Sequence, residues 1–221
     1  MEQTRGIIFD LDGTLADTLP LCLVSFQDAV EQVSGKRPTK ESVEAFWGYS
    51  EIGIVKKLYP QDWEHCFKVF LDIYQKNHKM CCELFAGMTE LLEFLSQKNI
   101  KLALVTGKGE DSCRITLNEF GIRKYFDMVE TGSEVGSIKP ACITRVLSRW
   151  GFAPQEVYYV GDAAQDMRDS KEVNVNTVAA AWAKTAHIEL LKKENPDEIF
   201  YSVEDFSKWI CEGLSSRVFA D

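Results

Sequence analysis

Short apolar runs and amphipathic stretches alternate along most of the chain. Residues 5–9 form an apolar run ending in Asp10, with a glycine at position 13, and read as a buried parallel strand opening into a loop. Comparable runs, most of them rich in β-branched residues, recur at 101–105, roughly 126–130, 157–160 and 175–181. Helical patterns occupy the intervals at 88–98, 111–120, 141–150 and 188–194. Gly121, Gly151 and the Asn195-Pro196 pair supply their stop signals. Strand and helix in alternation predict an α/β fold built on a parallel sheet.

The first connection breaks this rhythm. Residues 17–84 hold no convincing strand, and stretches at 21–33, 41–47, 52–58 and 63–78 carry apolar residues at three- and four-residue intervals. Breaks fall at Ser34-Gly35, Gly48 and Pro60, and Gly87 marks the return to the sheet. The expected organisation is an α/β core from residues 1–16 and 85–221, with a small helical bundle, 17–84, inserted after the first strand.

Composition narrows the function. The 221 residues are 45% hydrophobic and 11% aromatic, ordinary for a globular protein with a sizeable core. Acidic residues outnumber basic ones 34 to 25, for a net charge of -9, and no dense Lys/Arg run is present to neutralise a row of phosphates. Nucleic acid is therefore not an expected partner, and any anion site must be local. The amino terminus lacks a signal-peptide core and no stretch reaches membrane-spanning length, so no membrane partner is expected. Seven cysteines, an odd number and partly within apolar segments, fit reduced thiols and a cytoplasmic location.

Candidate chemistry gathers at the ends of the predicted strands. Asp10 and Asp12, in DLDGT, bring two carboxylates to the carboxyl end of the first strand, where ligands of open α/β sheets bind. One carboxylate can attack phosphorus while the other exchanges protons, and Gly13 lets backbone approach a bound ion or phosphate. Asp162 and Asp166 follow a second strand, and an i, i+4 spacing places both on one helix face as possible magnesium ligands. Thr106 and Gly107 offer a hydroxyl and an N–H to phosphate oxygens, and Lys139, just before Pro140, offers an ammonium. Taken singly, the aspartates read equally well as helix caps, the threonine as an ordinary strand end, and the lysine as solvated.

Together and in order, DLDGTLADT at 10–18, VTG at 105–107, Lys139-Pro140 and GDAAQD at 161–166 resemble the four motifs of the haloacid dehalogenase superfamily. The resemblance spans essentially the whole core. It implies a Rossmann-like core with a helical cap domain after the first motif, as in the phosphoglycolate phosphatase-like group. It further implies a Mg2+-dependent phosphatase acting on a small phosphorylated metabolite. In that likeness Asp10 is the nucleophile and Asp12 the proton carrier, while Thr106 and Lys139 stabilise the phosphoryl group. Asp10, the Asp12 backbone carbonyl and Asp162 would hold the metal, with Asp166 orienting a metal-bound water.

Three readings follow: hydrolysis of a small phosphate monoester, phosphoryl transfer within a sugar phosphate by a β-phosphoglucomutase-like enzyme, or a non-catalytic phosphate-binding protein. Gly161 before Asp162, where the mutases tend to carry an adjacent acidic pair, favours the phosphatase; Cys142, where relatives often have a second proline, departs from the pattern. Tyr49, Ser50 and Lys56, near a turn of the insert, are candidates for substrate selection, and a monomer or homodimer is expected. His65, His78 and His187 fit no metal spacing and read as surface or packing residues, and Cys81 and Cys82 as packing thiols.

Overall fold

In the computed structural model, which describes residues 4–81 and 83–215, the chain begins with β1 (Gly6–Phe9). Four helices follow: α1 (Leu19–Ser34), α2 (Lys40–Glu44), α3 (Glu51–Leu58) and α4 (Trp63–Cys81). Then come α5 (Met88–Gln97), β2 (Lys101–Val105), α6 (Glu110–Phe120), β3 (Met128–Glu130), α7 (Lys139–Trp150) and β4 (Val157–Gly161). The chain continues through α8 (Ala164–Glu172), β5 (Asn176–Ala180), α9 (Ile188–Lys193), β6 (Glu198–Phe200) and α10 (Val203–Ser215).

The six strands form one parallel sheet in the order β3-β2-β1-β4-β5-β6. β1 is central and fully buried, as its unbroken GIIF run requires of a strand covered on both faces. On one face Phe9 and Leu104 meet Leu92 and Leu95 of α5, Leu117 of α6 and Phe206 of α10. On the other, Ile8, Ala103 and Tyr159 meet Ile143 and Val146 of α7. A Cβ on Gly6 would lie 2.5 Å from the Trp150 ring, so only glycine lets α7 close over this strand.

The expected α/β parallel architecture is present, with a sixth strand and a final helix beyond the expected elements. β6 is only three residues long, too short to give a pattern, and is recruited to the sheet by pairing Val178 with Glu198. The early helices lie where the apolar spacing puts them, except that α2 ends at Glu44 and the chain continues in turns to Gly48, whose φ is 99°.

Helices α1 to α4 bury an apolar cluster of their own, including Leu21, Phe26, Val43, Ile54, Phe70 and Tyr74. Phe26 and Phe70 stack with ring centroids 4.3 Å apart. This bundle leans on α6, where the Tyr74 and Thr116 hydroxyls are 2.7 Å apart and His78 Nε2 is 3.1 Å from the Thr116 oxygen. His78 is thus a buried packing residue, while His65 and His187 are exposed. Cys82 and the Cys81 side chain lie outside the described residues.

Candidate functional site

After β1 the chain builds outward through β2 and β3 on one side, then crosses back so that β4 pairs with β1 on the other. The carboxyl ends of β1 and β4 therefore flank the point where strand order reverses, the crevice in which open α/β sheets bind ligands. Asp10 leaves β1 there, and Gly161-Asp162 leave β4 beside it, with register pairing Phe9 to Val160. α8 starts just afterwards and directs Asp166 inward from its first turn; α7 delivers Lys139 from its first residue.

These four side chains converge. Asp10, Asp162 and Asp166 each offer an oxygen, all within 4.8 Å of one another. Lys139 Nζ donates to Asp10 Oδ2 at 2.7 Å and also pairs with Asp166 Oδ1. Asp10 Oδ1 accepts the Leu11 N–H at 2.7 Å, and Asp166 Oδ2 accepts the Ala163 N–H at 3.0 Å. The Tyr159 hydroxyl bridges Asp166 and the Val105 carbonyl, tying the cluster to the end of β2.

The cluster is buried: Asp10 is 7% exposed, Asp162 and Lys139 9%, and Asp166 0%. Three carboxylates share one ammonium. Burial, only partly offset by Lys139, pushes the Asp10 carboxyl up to about 6. Burial, then the charges of Asp166 and Asp10, hold the Asp162 carboxyl well above its ordinary range. Lys139 is held well above the ordinary lysine value: burial opposes its charge, but Asp10 and Asp166 together prevail. A compact set of hard oxygen donors with surplus negative charge suits magnesium, which takes few protein carboxylates and near-octahedral geometry. The donor set therefore fits the expected cation, through Asp10, Asp162 and Asp166.

Glycines make room for this geometry. Gly13 has φ 76°, and a Cβ there would stand 2.1 Å from Asp162 Oδ2. Gly161 is equally confined, its Cβ position lying 2.5 Å from Asp166 Oδ2. Thr106 is buried one residue beyond β2, its N–H bonded to the Glu130 carbonyl and its Oγ1 accepting the Lys108 N–H at 3.2 Å. The turn at Gly107 is pressed against Gly132, where a Cβ would meet the Gly107 carbonyl at 1.8 Å.

Asp12, expected with Asp10, sends its side chain elsewhere. Its Oδ1 accepts from the Thr18 hydroxyl, and Lys108 Nζ lies 3.3 Å from Oδ1 and 3.5 Å from Oδ2. Its carboxylate is thus outside the three-aspartate group. Lys108 was not among the expected site residues, although it directly follows the Thr106-Gly107 turn. That adjacency is the signal that marks it. Ser50 N donates to the Ser133 carbonyl at 2.9 Å, and Lys56 pairs with Glu134, so these two insert residues bridge to the core; Tyr49 lies beneath Lys57 Nζ, 4.5 Å from its ring centroid.

The family model described as haloacid dehalogenase-like hydrolase matches residues 7–180. A pyrophosphatase PpaX from Halalkalibacterium halodurans is 27% identical, the alignment covering 92% of this chain and 95% of that protein. A phosphoglycolate phosphatase from Synechococcus elongatus is 29% identical over 80% of this chain and 84% of the relative. The crystal structure of a predicted phosphoglycolate phosphatase from Haemophilus somnus superposes with a TM-score of 0.82 at 24% identity, covering 95% of this chain and 99% of that one.

Proposed function

Since this chain belongs to the haloacid dehalogenase-like hydrolase family, we propose that it is a magnesium-dependent phosphatase acting on a small phosphate monoester or a similarly small phosphorylated metabolite. The observation that carries this reading is the convergence of Asp10, Asp162, Asp166 and Lys139 on one buried crevice.

Asp10 is the nucleophile: its Oδ1 is anchored by the Leu11 N–H and its Oδ2 by Lys139, so the attacking carboxylate is held in a fixed orientation. Attack forms a bond between this carboxylate and phosphorus while the bond to the leaving-group oxygen breaks. Asp12 gives that oxygen its proton, then takes one from the water that cleaves the aspartyl phosphate. The Thr106 hydroxyl, the Gly107 turn and Lys139 receive the charge on the phosphoryl oxygens. Asp10, the Asp12 carbonyl and Asp162 would hold magnesium, with Asp166 orienting its water. When bound, magnesium neutralises the clustered carboxylates and the phosphate, so that like charges can meet.

Residues 17–84 serve as the lid over this crevice, excluding water during the first step. The relatives named above act on pyrophosphate or phosphoglycolate according to their names, and both compounds are small and carry two anionic groups, the kind of substrate this crevice would take. A panel of phosphorylated metabolites, including these two, assayed with and without magnesium tests the reading. Release of phosphate only with the metal supports it; undiminished turnover after exhaustive chelation, or none on any substrate, overturns it.

A further inference from the structure

Lys108 is a core residue in a pocket built largely by the insert. Its side chain is 0% exposed. Its Nζ lies 3.3 Å from Asp12 Oδ1, 3.4 Å from Glu51 Oε1 and 3.1 Å from Cys22 Sγ, and 4.5 Å from the centroid of the Tyr74 ring. Cys22 belongs to α1, Glu51 to α3 and Tyr74 to α4, so every partner except Asp12 comes from the helical insert.

Glu51 is itself anchored through both carboxylate oxygens. It is 4% exposed, and besides pairing with Lys108 it accepts hydrogen bonds from the Gly109 N–H and the Ser112 hydroxyl at the start of α6. An insert carboxylate thus satisfies donors at a core helix N-terminus, where the helix dipole favours negative charge. The fit leaves no slack: a Cβ on Gly109 would lie 2.5 Å from Glu51 Oε2, and one on Gly53 would lie 2.7 Å from the Glu134 carbonyl oxygen.

We propose that Lys108 and Glu51 form a relay by which seating of the insert orients Asp12, making both of them positioning residues for its proton transfers. The proposal rests on the phosphatase reading above. The Asp12 carboxylate accepts from the Thr18 hydroxyl and, at 3.9 Å, from the Cys22 thiol, and Lys108 is its ionic partner, so the direction of its oxygens depends in part on where Lys108 points. Lys108 in turn is aimed by Glu51, which occupies its place only while the first residue of α3 meets the start of α6. Without Glu51, the buried ammonium loses one of its two carboxylate partners, and Asp12 loses its fixed geometry. The insert then contributes to the chemical step as well as to substrate choice.

The test compares Lys108→Met, Lys108→Arg and Glu51→Gln with the wild type on two probes. p-Nitrophenyl phosphate has a leaving group that needs little protonation, while glycerol phosphate has one that needs a proton. A disturbed proton carrier lowers kcat on glycerol phosphate by about 10² in Lys108→Met and about 10-fold in Glu51→Gln, with KM little changed. The burst of nitrophenol persists, but the phosphoenzyme decays more slowly, because water activation also needs Asp12. Lys108→Arg, which keeps the charge, recovers part of the loss. Thermal unfolding identifies any variant that fails to fold; should Lys108→Met do so, Glu51→Gln and Lys108→Arg still decide the matter. In folded variants, a nitrophenol burst slowed as much as phosphorylation by glycerol phosphate, or no loss in any step on either probe, sinks the relay alone. A wild-type protein that forms no phosphoenzyme sinks the phosphatase reading and the relay with it.

Discussion

Lys139 Nζ stands 2.7 Å from Asp10 Oδ2, although 129 residues separate them, and the same ammonium pairs with Asp166. One cation therefore aims the proposed nucleophile and links it to the acidic helix start across β4. Replacing Lys139 with Met leaves three buried carboxylates facing one another. With saturating magnesium, kcat should fall by about 10²–10³-fold, since an electrostatic group directed at the reacting phosphoryl is lost. Lys139→Arg should recover little, because a planar guanidinium cannot replace a point charge packed this closely. Steady-state kinetics on both variants check this, and near wild-type turnover in Lys139→Met would refute it.

Metal binding should be visible without any substrate. Asp10 is pushed up to about 6 by burial, so in the metal-free protein its carboxylate is less favourable folded than unfolded. The sign follows: its stability contribution is full below the unfolded value near 3.8, and is lost as pH rises through about 6. The upward shift of Asp162 acts in the same direction. The metal-free protein should lose stability across this window, and magnesium should restore it chiefly above pH 6. At a hundred times its Kd the cation adds about 2.7 kcal/mol, or roughly 5–10 °C in Tm. Calorimetry at pH 5 and pH 8, with and without magnesium, measures this; an equal metal effect at both would count against the cluster as the binding site.

Gly13 should tolerate no side chain. Its φ of 76° favours glycine, and the nearest atom to an added Cβ is Asp162 Oδ2 at 2.1 Å. Gly13→Ala combines left-handed strain of about 1–3 kcal/mol with displacement of a proposed metal ligand. Magnesium affinity should therefore drop more than stability does. Isothermal titration alongside thermal unfolding separates the two, and unchanged affinity in a folded variant would exclude Asp162 as a ligand.

Much of this arrangement was legible in the chain itself. Asp10, Asp162, Asp166 and Lys139 each stand at a strand end or helix start, and alternation of strand and helix sends such positions to one edge of a parallel sheet. The helices of the insert were readable because Cys22, Phe26 and Val30 in one, and Cys66, Phe70 and Tyr74 in another, fall at four-residue spacing. Long-range pairing left no such trace. Glu51 and Lys108 lie on different parts of the chain, and neither sits in a periodic pattern that would bring them together. β6 was invisible for want of length, whereas Val203, Phe206, Ile210 and Leu214 of α10 do carry a three- and four-residue spacing that marks a helix.

Asp10 and Asp12 should fail differently, and the structure gives the physical reason. The Asp10 carboxylate lies among the three clustered aspartates, held by Leu11 and Lys139. The Asp12 carboxylate faces the insert, held by Thr18 and Lys108. Asp10→Asn removes the proposed attacking charge and a proposed metal ligand together, so no phosphoenzyme should form and turnover should vanish. Asp12→Asn leaves the cluster untouched and its own backbone carbonyl in place. It removes only the proposed proton delivery and water activation, so hydrolysis should fall by about two to four orders of magnitude. With p-nitrophenyl phosphate, whose leaving group needs little protonation, Asp12→Asn should still become phosphorylated and then stall. Mass spectrometry of the trapped protein locates the phosphate. Modification at Asp10 in the wild type and in Asp12→Asn is the expected result, and a phosphate on Asp12, or on any histidine or cysteine, would reverse the assignment.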